Sequence, residues 1–440
     1  MFRKQLVTVG ALLLSDTFLL GASLQAQTQL APPAPRPLPA PTASSPHFVG
    51  NVNNIRALPN GQLLINDTRI HHLMLSDSML KTTTVVIDSG EYGSRPASLM
   101  SYFGDSSLFV EAITPSMRVI DPSGKVVRTI AVPQASSASS IMPTTSGMAG
   151  VDARGRIVHR GFIPRPPKEK LKAGETRLFD YPDTNPIVRD DPETHQGMTL
   201  AFVKGLKISG VDVAIDANRS AGYIRSTPVY ILDEWAMLSN GMIAVVRGTD
   251  YHIDLIGPDN KITSLPKIPH TWIPLPDSLK LAIIDSIRKA ENESRDEQLK
   301  QAADKKNGTG TSSASGATSA GGSTIGSGGF TGGRPTDFPP PPPIDLYLPR
   351  IEDFPDYYPV FSFGALHPDV DGNLWIHTEL HSPDGKSSVY DVVSSAGKLI
   401  DRILIPDDRS IVGFDKHGNV FLTAHESRTV VWIERVHWKA

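Results

Sequence analysis

The sharpest polar cluster in the chain is His377-Thr378-Glu379-Leu380-His381. Side chains of an extended strand alternate between faces, so His377, Glu379 and His381 would share one face. Two imidazoles and a carboxylate could supply three N/O ligands to a metal ion such as calcium or another divalent cation. The plainer reading is a polar strand end beside a solvent loop, since no other part of the chain offers an obvious complementary ligand. His71 and His72 are adjacent, face opposite ways in a strand and cannot chelate together. His252, in TDYHIDLI, reads as a hydrogen-bonded structural residue.

A second group lies in segments that read as loops: EYGSRP (91–96), RGTDY (247–251) and AHESR (424–428). They offer Arg95, Arg247, Asp250 and Arg428 for pairing with a charged ligand, and Tyr92 and Tyr251 as stacking surface. Each could equally be an ordinary solvated residue. Other chemistry finds no motif. There is no G-x-S-x-G elbow. The Gly-rich stretch at 320–333 lacks the Gly-Lys-Ser/Thr ending of a phosphate loop. HPDVDGN (367–373) lacks the glycine and terminal glutamate spacing of a calcium loop and reads as a hairpin turn. Cysteine is absent, which excludes disulfides, thiolate zinc sites and thiol catalysis. The formal net charge is −3 with no strong basic block, which argues against a nucleic-acid partner.

The elements that must carry these residues follow a repeat. A turn with Gly or Asp followed by an apolar strand recurs as PNGQLLINDT (59–68), FGDSSLFVEA (103–112), DARGRIVHRG (152–161), LSNGMIAVVR (238–247), DVDGNLWIHT (369–378) and DKHGNVFLTA (415–424). The turn glycines Gly61, Gly104, Gly155, Gly241, Gly372 and Gly418 are separated by 43, 51, 86, 131 and 46 residues. Three intervals match the roughly 40–50 residues of a four-stranded propeller blade. The spacing predicts an all-β, six-bladed propeller of antiparallel four-stranded blades, with seven blades as the alternative. Closure into a ring is favoured over an open solenoid because the first and last copies are as apolar as the middle ones. The last copy supplies only three clear strands, and HFVGNV (47–52) is the segment expected to complete it.

The two oversized intervals are interruptions. The 131-residue one holds an insertion at 270–345, with a helix at 277–304 and a disordered Gly/Ser/Thr-rich tract at 305–340. Leu279, Ile283, Ile284 and Ile287 form the helix's apolar stripe, so the segment reads as a tether or docking arm. In the 86-residue interval, TNPIVRDD (184–191) and MTLAFVK (198–204) read as the outer strands of blade three, and 207–235 as a crossover into blade four. Ahead of the repeats, a basic start, an apolar run from Leu6 to Leu20 and small residues near Ala26 read as a secretory signal peptide at 1–26. A Pro/Ala-rich linker follows at 27–47 and the propeller domain at 48–440.

The units resemble those of six-bladed propellers of the NHL and TolB-like superfamily. The motifs that carry the likeness are VDGNLWIHT (370–378), VIDPSGKVVRTIAV (119–132) and KHGNVFLTA (416–424). The resemblance implies the fold and leaves function open, because lyases, lactonases, sugar binders and docking scaffolds share it. Gluconolactonase-type members hold an axial calcium with a Glu, two Asn and an Asp, and lyase-type members line the channel with histidines. Neither set is recognisable here. The expectation is an exported protein, periplasmic or extracellular, monomeric and without a membrane span after signal removal. It would bind a protein or small-molecule ligand without catalysis or cofactor. The alternative is a propeller-type lyase or lactonase with a channel-bound metal.

Overall fold

A computed structural model describes residues 32–88, 97–111, 116–131, 147–161, 172, 174–194, 196–214, 220–306 and 343–439. The expected signal peptide and most of the Gly/Ser-rich tract lie outside the described residues. The elements below belong to one compact unit, Pro33–Ala440.

The chain is nearly all β. Three short N-terminal strands, β1 (Arg36–Pro37), β2 (Ala43–Ser44) and β3 (Phe48–Val49), precede a series of sheets. The first sheet is β4 (Val52–Ala57), β5 (Leu63–Asp67), β6 (His72–Ser76) and β7 (Thr83–Asp88). The second is β8 (Ala97–Ser101), β9 (Ser107–Glu111), β10 (Ser116–Ile120) and β11 (Val126–Ala131). The third combines β12 (Gly150–Val151), β13 (Ile157–Arg160), β15 (Thr184–Asp190) and β16 (Gly197–Lys204), skipping β14 (Thr176–Asp180). After β17 (Ser209–Ala214) and β18 (Ser220–Arg225) comes the fourth: β19 (Glu234–Met237), β20 (Ile243–Arg247), β21 (His252–Ile256) and β22 (Ile262–Ser264). Helix α1 (Asp277–Lys306) separates it from the fifth, β23 (Leu366–Pro368), β24 (Leu374–His381), β25 (Ser387–Val393) and β26 (Leu399–Pro406). The last is β27 (Arg409–Phe414), β28 (Asn419–His425) and β29 (Val430–His437). Several four-stranded antiparallel sheets in series are consistent with a β-propeller.

Local hydrogen bonding explains why the repeat folds this way. Asp369 Oδ1 accepts the backbone N–H groups of Asp371 and Asn373 at 2.9 Å, and Asp415 does the same for His417 and Asn419. Asp152 repeats the arrangement with Arg154 and Arg156. Such Asx turns fix the reversal within four residues. The glycine that follows takes a left-handed backbone, φ +83° at Gly372 and +76° at Gly418, which other residues adopt at a penalty.

Alternation then places successive side chains of each central strand against opposite neighbours. Leu64 packs with Leu99 and Phe109 of the second sheet, while Leu63 and Ile65 pack with Val412 and Phe421 of the last. Val110 meets Ile157 across the second and third sheets, and Val203 meets Trp235 across the third and fourth. Val246 meets Ile376 across the fourth and fifth, and Ile403 meets Ile411 across the fifth and last. The seam between last and first sheets is tight. A Cβ on Gly413 of β27 would overlap the backbone carbonyl of Ile55 on β4. Gly413→Ala is therefore expected to lower stability by about 2 kcal/mol or more. Gly61→Ala, where space is open and only the positive φ is penalised, should lose about 1 kcal/mol. Equal shifts of the two urea midpoints would sink this account.

The N-terminal segment is docked along sheet edges. Phe48–Val49 pairs with Val431 and Val430, and Ala43–Ser44 with Arg435 and Glu434, so residues before the first sheet complete the last one. Further upstream, β1 pairs in parallel with β26, and Arg36 holds Asp401 at 2.6 Å. The described part of the expected linker thus lies on the protein, because its extended backbone suits an open strand edge.

The two interruptions also differ from their reading. Residues 209–214 (β17) and 220–225 (β18) form, with β14, a separate three-stranded sheet where a plain crossover was expected. The helix follows its predicted span, but Leu279 is exposed and the inward contact is made by Ile284, which packs with Leu275 and Phe354. The interruptions meet each other: Tyr223 stacks on Tyr347 at 5.4 Å, and Lys207 pairs with Asp353 at 2.8 Å.

Candidate ligand-binding cleft

Four connecting segments converge between the fourth and fifth sheets, at the end where the second strand passes to the third. Residues 228–230 lead into β19, 268–273 leave β22, 358–362 lead into β23, and 379–380 lie near the end of β24. A short antiparallel ladder ties two of them: Tyr358 N–H donates to Ile273 O at 2.9 Å, and Leu275 N–H to Asp356 O at 2.8 Å. Glu379 N–H donates to Val360 O at 2.8 Å and fixes a third. They enclose a cleft of about 430 Å³ lined by Pro228, Val229, Tyr230, His270, Ile273, Tyr358, Pro359, Phe361, Ser362, Glu379 and Leu380. The Val229 and Tyr358 walls rest on the small core of Leu275, Ile284 and Phe354, so the helical insertion buttresses the cleft.

Beneath the cleft lies a buried polar triad. Tyr251 is fully buried, and its hydroxyl donates to Asp391 Oδ2 at 2.9 Å. Arg402 Nε donates to Asp391 Oδ1 at 2.9 Å, and its Nη2 to Pro269 O at 3.1 Å. The Tyr251 ring meets His270 edge to face at 5.5 Å, and His270 meets Trp272 at 5.4 Å. Burial, with the Arg402 charge, pushes His270 down to about 4, so its imidazole is neutral near pH 7. Its Nδ1 is buried without a hydrogen-bond partner. Burial also raises the Tyr230 hydroxyl, helped by the charges of Glu379 and Glu234. Glu234, at the start of β19, is 1% exposed and accepts the Gly147 N–H at 2.9 Å. Burial raises its carboxyl to about 7.

The residues singled out from sequence are distributed differently. Arg247 pairs with Asp233 and Asp254, each at 2.8 Å. Asp250 accepts from His252 at 2.6 Å and faces Lys267 at 3.2 Å. Tyr251 presents no stacking surface to solvent, because its backbone turns left-handed (φ 51°) and drives the ring inward. Arg428 is exposed in the turn between β28 and β29, on another sheet from Arg247. Tyr92 and Arg95 lie outside the described residues.

The His377-Glu379-His381 set does not converge. Pairing steps from His377–Tyr390 to His381–Ser388, so four residues of β24 match two of β25, and this bulge breaks the alternation. His377 stacks on Tyr390 at 4.6 Å, while Glu379 turns into the cleft. Among the described residues no group of three or more His, Asp or Glu is arranged to hold a metal ion. No helix among them is long and apolar enough to cross a membrane.

Sequence reasoning found Glu379 but missed Tyr230, His270, Tyr358 and Phe361. The available signal was compositional: KIPHTWIPLP (267–276) and DFPDYYPVFSF (353–363) are rich in proline and aromatic residues and flank the fourth and fifth repeats.

No protein-family model matches the chain, and no curated protein matches it. Solved structures similar to it include a streptogramin B lyase, at 9% identity, TM-score 0.33 and coverage of 90% of this chain and 88% of the other. Virginiamycin B lyase from Staphylococcus aureus gives 10%, 0.36, 88% and 98%. A protein of unknown function from Bacteroides caccae gives 10%, 0.32, 81% and 82%. Likeness at this level carries no activity over to the present chain.

Proposed function

We propose that the chain is an exported six-bladed β-propeller that binds a small ligand in the cleft between its fourth and fifth sheets, without transforming it. Six clusters of buried side chains support the ring, each shared by two successive sheets, the last joining the sixth sheet to the first. The three-stranded sheet stands apart from the ring, since the third and fourth sheets pack directly through Val203 and Trp235. Export rests on the signal-like residues 1–26.

The observation that carries the binding reading is the cleft: concave, mostly apolar, with few polar groups, which is how small-molecule sites are built. The reading is non-catalytic because its polar groups are separately placed, with no nucleophile hydrogen-bonded to a base. The test uses the neutral fluorescent probe N-phenyl-1-naphthylamine on the full chain. Saturable uptake is expected, and Leu380→Trp, which fills the cleft, should reduce it at least tenfold (about 1.4 kcal/mol). Absent uptake, or uptake indifferent to Leu380→Trp, would overturn the reading.

A further inference from the structure

Resting on that cleft as the binding site, we infer that its ligand is a small organic ammonium compound. Glu379 is the one acidic side chain in the lining, and His270 is held neutral. Among the described residues no Lys or Arg stands within ion-pair distance of the Glu379 carboxylate. Its charge is nevertheless felt at the Tyr230 hydroxyl, so carboxylate and ring address the same space. Tyr230 and Tyr358 bring two partly exposed aromatic rings to the walls, with Phe361 buried behind the lining.

An unpaired carboxylate beside aromatic faces is attractive to a cation and hostile to an anion. A neutral ligand covering Glu379 would strip its water without returning a counter-charge, which is costly. A divalent metal ion is not the match, since one carboxylate falls short of the six or more oxygens calcium takes. A large, weakly hydrated ammonium group suits both the carboxylate and the rings.

Choline and 3,3-dimethylbutan-1-ol are the probes, equal in shape and differing only in the charged nitrogen. Ligand-observed saturation-transfer NMR on the full chain should show choline binding at about tenfold lower concentration. Glu379→Gln should erase that advantage. Equal binding of the isosteric pair overturns the inference, and if the naphthylamine still enters, the cleft reading survives it. If neither naphthylamine nor choline binds, both readings fall together.

Discussion

Asp391→Ala is expected to lower the stability of the chain by about 3–5 kcal/mol, the range found when one partner of a buried ion pair is removed. Asp391 is 0% exposed and receives both the Arg402 guanidinium and the Tyr251 hydroxyl at 2.9 Å. Its loss leaves the nearly buried Arg402 without its counter-charge, held by the Pro269 carbonyl, and the fully buried Tyr251 hydroxyl without an acceptor, each penalised separately. The mechanism has its own control. Replacing the group as a whole, with Asp391→Leu, Arg402→Met and Tyr251→Phe together, should recover much of the loss, because no buried charge or hydroxyl is left unpaired and only the Pro269 carbonyl loses its donor. The effect should also reach the cleft, since Arg402 holds the Pro269 carbonyl and Tyr251 supports His270. Urea unfolding read by tryptophan fluorescence measures the first effect and naphthylamine uptake the second. A loss below 1 kcal/mol for Asp391→Ala would show that water reaches the triad and that the argument from burial is wrong.

The second large effect concerns pH. Burial raises the Glu234 carboxyl from its ordinary 4.5 to about 7, and its Oε1 lacks a hydrogen-bond partner. Between those values the unfolded chain has released the proton and the folded chain still holds it. The contribution of Glu234 to stability must therefore fall as pH rises from about 4.5 to about 7 and level off above. His270 and His367, both lowered to about 4 by burial, contribute in the opposite direction, so comparison with a variant isolates the Glu234 effect. The difference of some 2.5 pH units corresponds to about 3 kcal/mol. Glu234→Gln keeps an acceptor for the Gly147 N–H and cannot ionise. The variant should match the native chain near pH 4 and exceed it by up to about 3 kcal/mol at pH 8. Chemical denaturation across this range decides the matter: parallel stability curves for the two proteins would mean that Glu234 is already ionised in the folded state.

What could be read from sequence was what is decided locally. The Asp369 and Asp415 turns are closed by hydrogen bonds spanning four residues, so the motif and the fold it enforces sit in the same short string. The candidate site is decided by distance along the chain. Tyr230, His270, Tyr358 and Glu379 come from four segments, and nothing within any one of them announces the other three. The bulge in β24 has no local mark either; it arises from pairing with β25 and separates three residues that strict alternation would have aligned. Tyr251 was legible as a turn residue, but its inward ring depends on Asp391, 140 positions later.

The joining of the chain's two ends has a kinetic meaning. The Thr42 hydroxyl reaches the Arg435 carbonyl across 393 residues, and the Ile433 N–H reaches the Ser45 hydroxyl across 388. Contacts of such separation are the slowest to form, because nearly the whole chain must be ordered before they are rewarded. Residues 42–49 leave the ribosome long before β29, the strand they pair with. Until β29 arrives, the last sheet and the unclosed seam at Gly413 expose apolar faces and open strand edges, the features that invite misassociation. Ring closure is thus one late event, and it sets how long the incomplete protein stays vulnerable.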